Sequence, residues 1–155
     1  MTLRNTLETQ RWIVPALRTV GLALFILAFF EPAIRAGETT VLSGWKCATI
    51  ATTESMTLFA KPGPGHHQFI EYLVAFSGWI NPFILLLILA SPVRVFLILR
   101  RIFAVAVVLC MAGTWVLFAQ QHIVPLIGHF MWIVGALLVI APEAFPGRPR
   151  RPAKA

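Results

Sequence analysis

The amino-acid sequence predicts an all-α integral membrane protein, a four-transmembrane-helix bundle with its N and C termini in the cytoplasm. Three observations predict it. Hydrophobic residues make up 58% of the 155 residues and charged residues only 12%, about half the charged share of a soluble domain. So few charges leave a water-facing surface uncovered. The apolar residues gather into four runs of 18 to 22 residues, against the roughly 20 that a spanning helix needs. The Lys and Arg residues divide ten to three between the two sets of connections, the asymmetry that orients membrane proteins.

The elements follow in order. Residues 1–11 are a cytoplasmic N-terminus, and 12–141 form the membrane domain. Its first helix covers about 12–30, its second 69–90, its third 95–119 and its fourth 123–141. Lipid offers no hydrogen bonds to backbone groups, so these runs are read as helices. Pro15 and Pro125 are placed in first turns, where a missing N–H does little harm. Glu31-Pro32, Ser91-Pro92 and Pro142 close the first, second and fourth runs. Arg4, Arg11, Arg18, Arg94, Arg100, Arg101, Arg148, Arg150, Arg151 and Lys154 fall on one side, Arg35, Lys46 and Lys61 on the other. The first side is therefore read as cytoplasmic. Arg94, Arg100, Arg101, Arg148, Arg150 and Arg151 are expected at lipid headgroups, and Trp12, Trp115 and Trp132 at or near interfaces. The first run is read as an uncleaved helix, because Ile34 and Arg35 make a poor signal-peptide cleavage site before Ala36.

The outer loop 31–68 carries Val41, Leu42, Trp45, Ile50, Met56, Leu58 and Phe59. A short amphipathic segment that lies on the membrane or caps the bundle fits these residues, and the KPGPG stretch turns the chain into the second helix. Only about three residues join the third and fourth runs, so these two are expected to form a tight hairpin. The tail 142–155 is basic and Pro-rich.

The net charge of +7 has a membrane explanation. No basic stripe with interleaved aromatics points to nucleic acid. The two cysteines, Cys47 and Cys110, form no CxxC and are expected at different depths, unpaired. GxSxG and phosphate-loop patterns are absent, and the chain has no Asp, so neither a Ser–His–Asp arrangement nor a nucleotide site is indicated. The reading is therefore non-enzymatic.

The residues with chemical potential are few. All four histidines fall on the outer side. His122 and His129, seven apart, share a helical face and are the candidate ligands of a haem or other tetrapyrrole. His66 and His67 lead into the second helix, and His67 with Glu71 has the spacing of a helical ligand pair, so His66, His67 and Glu71 are the candidate metal ligands. Glu71 and Arg18 are intramembrane charges, both shallow enough to snorkel. Asn81-Pro82 interrupts the second helix near its middle. Pro82 cannot donate to Gly78, and Asn81 needs a partner on another helix. Gly78, Asn81 and Pro82 are read as a packing node or hinge, with a broken-helix binding site as the bolder alternative. Gly128 and Gly135, one heptad apart, are read as close-packing points.

Ser43-Gly44-Trp45-Lys46-Cys47, then Trp79-Ile80-Asn81-Pro82, resemble small bacterial inner-membrane proteins with four predicted helices and no assigned activity. Their pattern is a GW in the outer loop and W-x-N-P in the second span. The resemblance covers roughly residues 40–90, and PGPGHH departs from it. It implies a multi-pass topology in the bacterial inner membrane and carries no function. The functional expectation is a non-catalytic accessory or structural subunit, or an assembly factor, of a larger membrane complex. Its partners would be lipids and other integral membrane proteins. The alternatives are a small His-liganded electron-transfer protein that binds haem, metal or pigment, and an oligomeric channel or transporter lined by Asn81.

Overall fold

The computed structural model describes residues 3–60, 69–90 and 97–144. Its elements are α1 (Leu3–Leu27), β1 (Pro32–Ala36), β2 (Thr40–Ser43), α2 (Gly44–Ala60), α3 (Phe69–Ala90), α4 (Leu97–Gln121), β3 (Val124–Pro125) and α5 (Ile127–Ala144). The described chain is mostly helical. The helices α3 and α4 are long and apolar enough to cross a membrane, and shorter apolar helical segments cover Ile13–Leu27 and Ile127–Glu143.

The helices pair off. α1 packs chiefly on α5 and α3 on α4, while α4 and α5 touch far less. The expected tight hairpin between the last two helices is therefore not the main pairing. The reason lies at Gly21 and Gly135. A Cβ on Gly135 would lie 2.6 Å from Phe25 N and 2.7 Å from Gly21 O, and one on Gly21 would lie 2.8 Å from Gly135 O. Only glycines, with no side chain, permit that backbone approach, so α5 lies against α1. An apolar core joins the pairs: Phe25 of α1, Ile80, Ile84 and Leu87 of α3, Val107 and Met111 of α4, and Ala136, Val139 and Ile140 of α5. Ile80, Leu87, Val107 and Val139 are fully buried.

Residues 32–60, within the segment read as a loop, form a hairpin and a helix. A tightened turn ends α1, with Phe29 N donating to Ile26 O at 3.1 Å and Phe30 N to Leu27 O at 3.0 Å. Pro32 then starts β1 at a strand's first position, where its missing donor is harmless. β1 and β2 pair antiparallel with Ala36 opposite Thr40. The three-residue connection opens on Gly37 at φ +68°, a left-handed conformation that glycine adopts without strain. β3 joins the other side of β1, with Ile34 opposite Pro125 and Arg35 opposite Val124. Pro125 thus lies in a strand, and α5 starts at Ile127 rather than at 123. His122, at φ +51°, ends α4, and Ile123 N donates back to Phe118 O at 3.0 Å. This is the left-handed residue and long return bond of a helix-terminating turn. Pro15 is interior to α1, which begins well upstream of its apolar run.

Ser43 caps α2, accepting from Lys46 N at 3.5 Å. α2 then lies along α3: Ser55 Oγ donates to Ala75 O at 3.2 Å, and a Cβ on Gly78 would lie 3.0 Å from Ala51 Cβ. The sheet, α2, the C-terminal end of α1 and the N-terminal end of α5 therefore share one end of the molecule.

Candidate functional site

Beneath the sheet lies a cavity of about 250 Å³. The hairpin contributes Ala33, Ile34 and Leu42, and α2 contributes Cys47, Ala48 and Ala51. α3 adds Val74, Ser77, Gly78 and Asn81, α4 adds Thr114 and Phe118, and α5 adds Gly128, His129 and Trp132. The many Ala and Gly residues leave the space open. Among the described residues, no Lys, Arg or Glu lines it.

The polar groups of the wall fall into two kinds. Ser77 Oγ donates to Val74 O at 2.6 Å and Thr114 Oγ to Cys110 O at 3.0 Å, so both hydroxyls are engaged by their own helices. Asn81 and His129 differ. Trp132 Nε1 donates to Asn81 Oδ1 at 3.1 Å. An indole N–H is only a donor, so the atom that faces it is the amide oxygen. The Nδ2 donors are then turned elsewhere, and among the described residues they have no protein partner. His129 is 5% exposed, and its Nε2 is buried without a hydrogen-bond partner among the described residues. Aromatic rings hold the imidazole in place, with centroids at 4.7 Å for Phe118, 5.6 Å for Trp115 and 5.6 Å for Trp132. A buried polar atom left unsatisfied is unfavourable, and His129 Nε2 is such an atom among the described residues. Burial pushes the Cys47 thiol up to about 11, which leaves it protonated and unreactive near neutrality.

Both motifs that carried the family resemblance border this space. A Cβ on Gly44 would lie 2.3 Å from Ala28 O, so only glycine permits the chain to pass the end of α1. Trp45 N then donates to Phe29 O at 2.8 Å, and its ring meets Phe29 edge-on at 6.4 Å. Asn81 enters from the opposite wall.

The other candidates distribute as follows. His122 is exposed in the turn after α4 and does not line the cavity, so the paired ligand arrangement with His129 is not formed there. In proportion to a cavity of about 150 Å³ that holds benzene, the space holds about ten non-hydrogen atoms, well short of a tetrapyrrole macrocycle. His66 and His67 lie outside the described residues. Glu71 opens α3, and among the described residues no group of three His, Cys, Asp or Glu is placed to hold a metal ion. α3 runs through Pro82 as one helix. Gly128 lies against β1, where a Cβ would be 2.8 Å from Pro32 O. Trp132 is turned inward to Asn81, while Trp115 stays 44% exposed. Arg94, Arg148, Arg150 and Arg151 lie outside the described residues, and Arg101 is exposed.

Arg100 does not reach outward as a headgroup contact. Its Nε donates to Glu143 Oε1 at 3.2 Å, and Arg18 bonds to the same carboxylate. Glu143 is 4% exposed in its side chain, Arg100 12% and Arg18 22%. This cluster joins α1, α4 and α5, and the pattern of apolar runs does not reveal its acid. The fourth run closes at 141, before Pro142, whereas α5 continues through Glu143. The available signal is scarcity: Glu143 is one of six acids in the chain, and it follows an apolar run on the side rich in arginine.

Comparison with protein-family models, with curated proteins and with solved structures finds no match.

Proposed function

We propose that this chain is a four-span protein of the bacterial inner membrane, with both termini cytoplasmic, that serves as a non-catalytic accessory or assembly subunit of a larger membrane complex. α1, α3, α4 and α5 are the spans, and the sheet and α2 form the outer cap. The observation that carries the subunit role is the outward face of α4. Ile98, Ile102, Val105, Leu109 and Val116 are exposed, as are Ala112 and Ala119. They recur at alternating steps of four and three, the seam spacing of packed helices. Ile98 is 75% and Leu109 66% exposed. Lipid supplies no hydrophobic drive for helix association, so close approach at small residues matters more. Ala112 and Ala119 supply it on this seam.

Native mass spectrometry of the protein extracted from its own membrane in mild detergent tests the role. The expected result is a mass far above 17.2 kDa that resolves into other polypeptides. Leu109→Trp with Ala112→Trp should dissociate that assembly. Isolation of the bare chain from several mild detergents would overturn the role. Topology has its own test: a reporter fused after Ala155 should be active in the cytoplasm, and a cysteine placed at Lys61 should label from outside.

A further inference from the structure

We propose that the cavity beneath the sheet binds one unbranched hydrocarbon chain over a length of about ten carbons, a size set in proportion to the benzene-sized cavity above. Four observations carry the assignment. The first is the volume, about 250 Å³, which sets the number of atoms. The second is the length. On α3 the wall runs from Val74 through Ser77 and Gly78 to Asn81, one helical face over seven residues, or about 10 Å. On α2 it runs over the same distance, from Gly44 to Ala51. An extended chain of about ten carbons reaches about 11 Å, at about 1.2 Å per bond. The same atoms gathered into fused rings are shorter and leave part of the wall without contacts, which forfeits dispersion. The third is the chemistry of the wall. Among the described residues it has no charged side chain, and its Ser77 and Thr114 hydroxyls are spent on their own helices. An apolar space of this size takes an apolar occupant in preference to water. No polar contact is required of His129 Nε2, which is closed off within the wall. The fourth is the mouth. Ile50 lines the cavity and is 46% exposed. The space therefore reaches the surface beside α2, where a chain can enter with its polar end left outside.

Such a chain has two sources, a free single-chain amphiphile and the tail of a membrane phospholipid; the second rests on the four-span reading. The experiment photolabels the full chain and maps the labelled peptides by mass spectrometry. Decan-1-ol with a diazirine at its far end is added to the protein in digitonin, whose rigid sterol body is too large for the cavity. A phosphatidylcholine with a diazirine at the end of one tail is used in vesicles. At least one probe should label the two walls, Gly44 to Ala51 and Val74 to Asn81. Label from the alcohol alone assigns a free amphiphile, and label from the phospholipid alone assigns its tail. Plain decan-1-ol should displace the alcohol probe's label at a concentration about tenfold lower than decalin or naphthalene, because compact molecules with the same number of carbons strain a packed wall. Ala48→Phe, which fills the cavity, should abolish label on α3 from Val74 to Asn81 and leave label on the outward face of α4 unchanged. Label from both probes confined to that outward face of the natural chain would overturn the proposal. Equal or stronger displacement by the compact molecules would also overturn it. Both results come from the natural chain alone, so they stand even where the variant fails to fold. Because no partner is present, failure here leaves the subunit role untouched.

Discussion

The interior holds two polar regions, and they are organised in opposite ways. At one end, Arg18 and Arg100 converge on Glu143, and the carboxylate is consumed by groups of the chain itself. At the other, Asn81 and His129 line a cavity, and neither Asn81 Nδ2 nor His129 Nε2 bonds to the described protein. Charge explains much of the contrast. A buried carboxylate without a partner is prohibitively unfavourable, so Glu143 must be paired wherever it is buried. A neutral imidazole or carboxamide left unsatisfied incurs a smaller penalty and can be tolerated where a ligand makes the missing bond. The first region holds helices together; the second leaves polar groups without a protein partner among the described residues.

Four variants break or sharpen this comparison. The largest effect is expected at the charged end. Glu143→Leu leaves two guanidinium groups without their shared acceptor, and should lower stability by about 3–5 kcal/mol in reversible unfolding in mixed micelles. Replacing Arg18 and Arg100 by Met in the same chain should recover part of that loss. A loss below about 1 kcal/mol for Glu143→Leu alone would show that the cluster does not secure the fold.

The next effect lies between the two ends, where α1 and α5 cross. Gly135→Ala brings a methyl group against Gly21 O and Phe25 N, and should cost about 1–3 kcal/mol by the same measurement. A neutral result would mean that the helices separate freely and that the close backbone approach at the two glycines is not what selects α1 as the partner of α5.

At the cavity end the effects should be smaller. Trp132→Phe removes the bond to Asn81 Oδ1 but keeps most of the ring, and should cost about 1 kcal/mol. The smallest is expected for His129→Leu. It replaces a side chain whose Nε2 makes no bond among the described residues, so thermal unfolding should shift by no more than about 0.5 kcal/mol in either direction. A loss as large as that of Glu143→Leu would erase the distinction between the two regions and assign His129 a structural role.

Several parts of this architecture are legible in the residues alone. The apolar runs mark α3 and the body of α4, because a helix without a polar face leaves a long uninterrupted signal. Asn81 stands out because a carboxamide in such a run must find a partner. That the partner is Trp132 is not legible, since the two are 51 residues apart and nothing local links them. The hairpin escapes because its signals are short: Gly37 is one residue, and the strands are five and four residues long, while α2 is legible only as a short amphipathic segment of the outer loop. The seven-residue spacing of His122 and His129 suggests one face of one helix. Yet His122 ends α4 and His129 lies within α5, and β3 intervenes, so the periodicity does not apply.

What the residue order dictated unaided was the apolar, charge-poor character of the chain and the existence of its long helices. Both depend on composition and on bonds between near neighbours, which are written locally. Only the tertiary structure decided that α5 lies on α1, that Glu143 gathers two distant arginines, and that Asn81 and His129 line one cavity. Those outcomes depend on which backbones can approach closely and on which buried polar groups must find each other. Both are matters of contact between residues far apart in the chain.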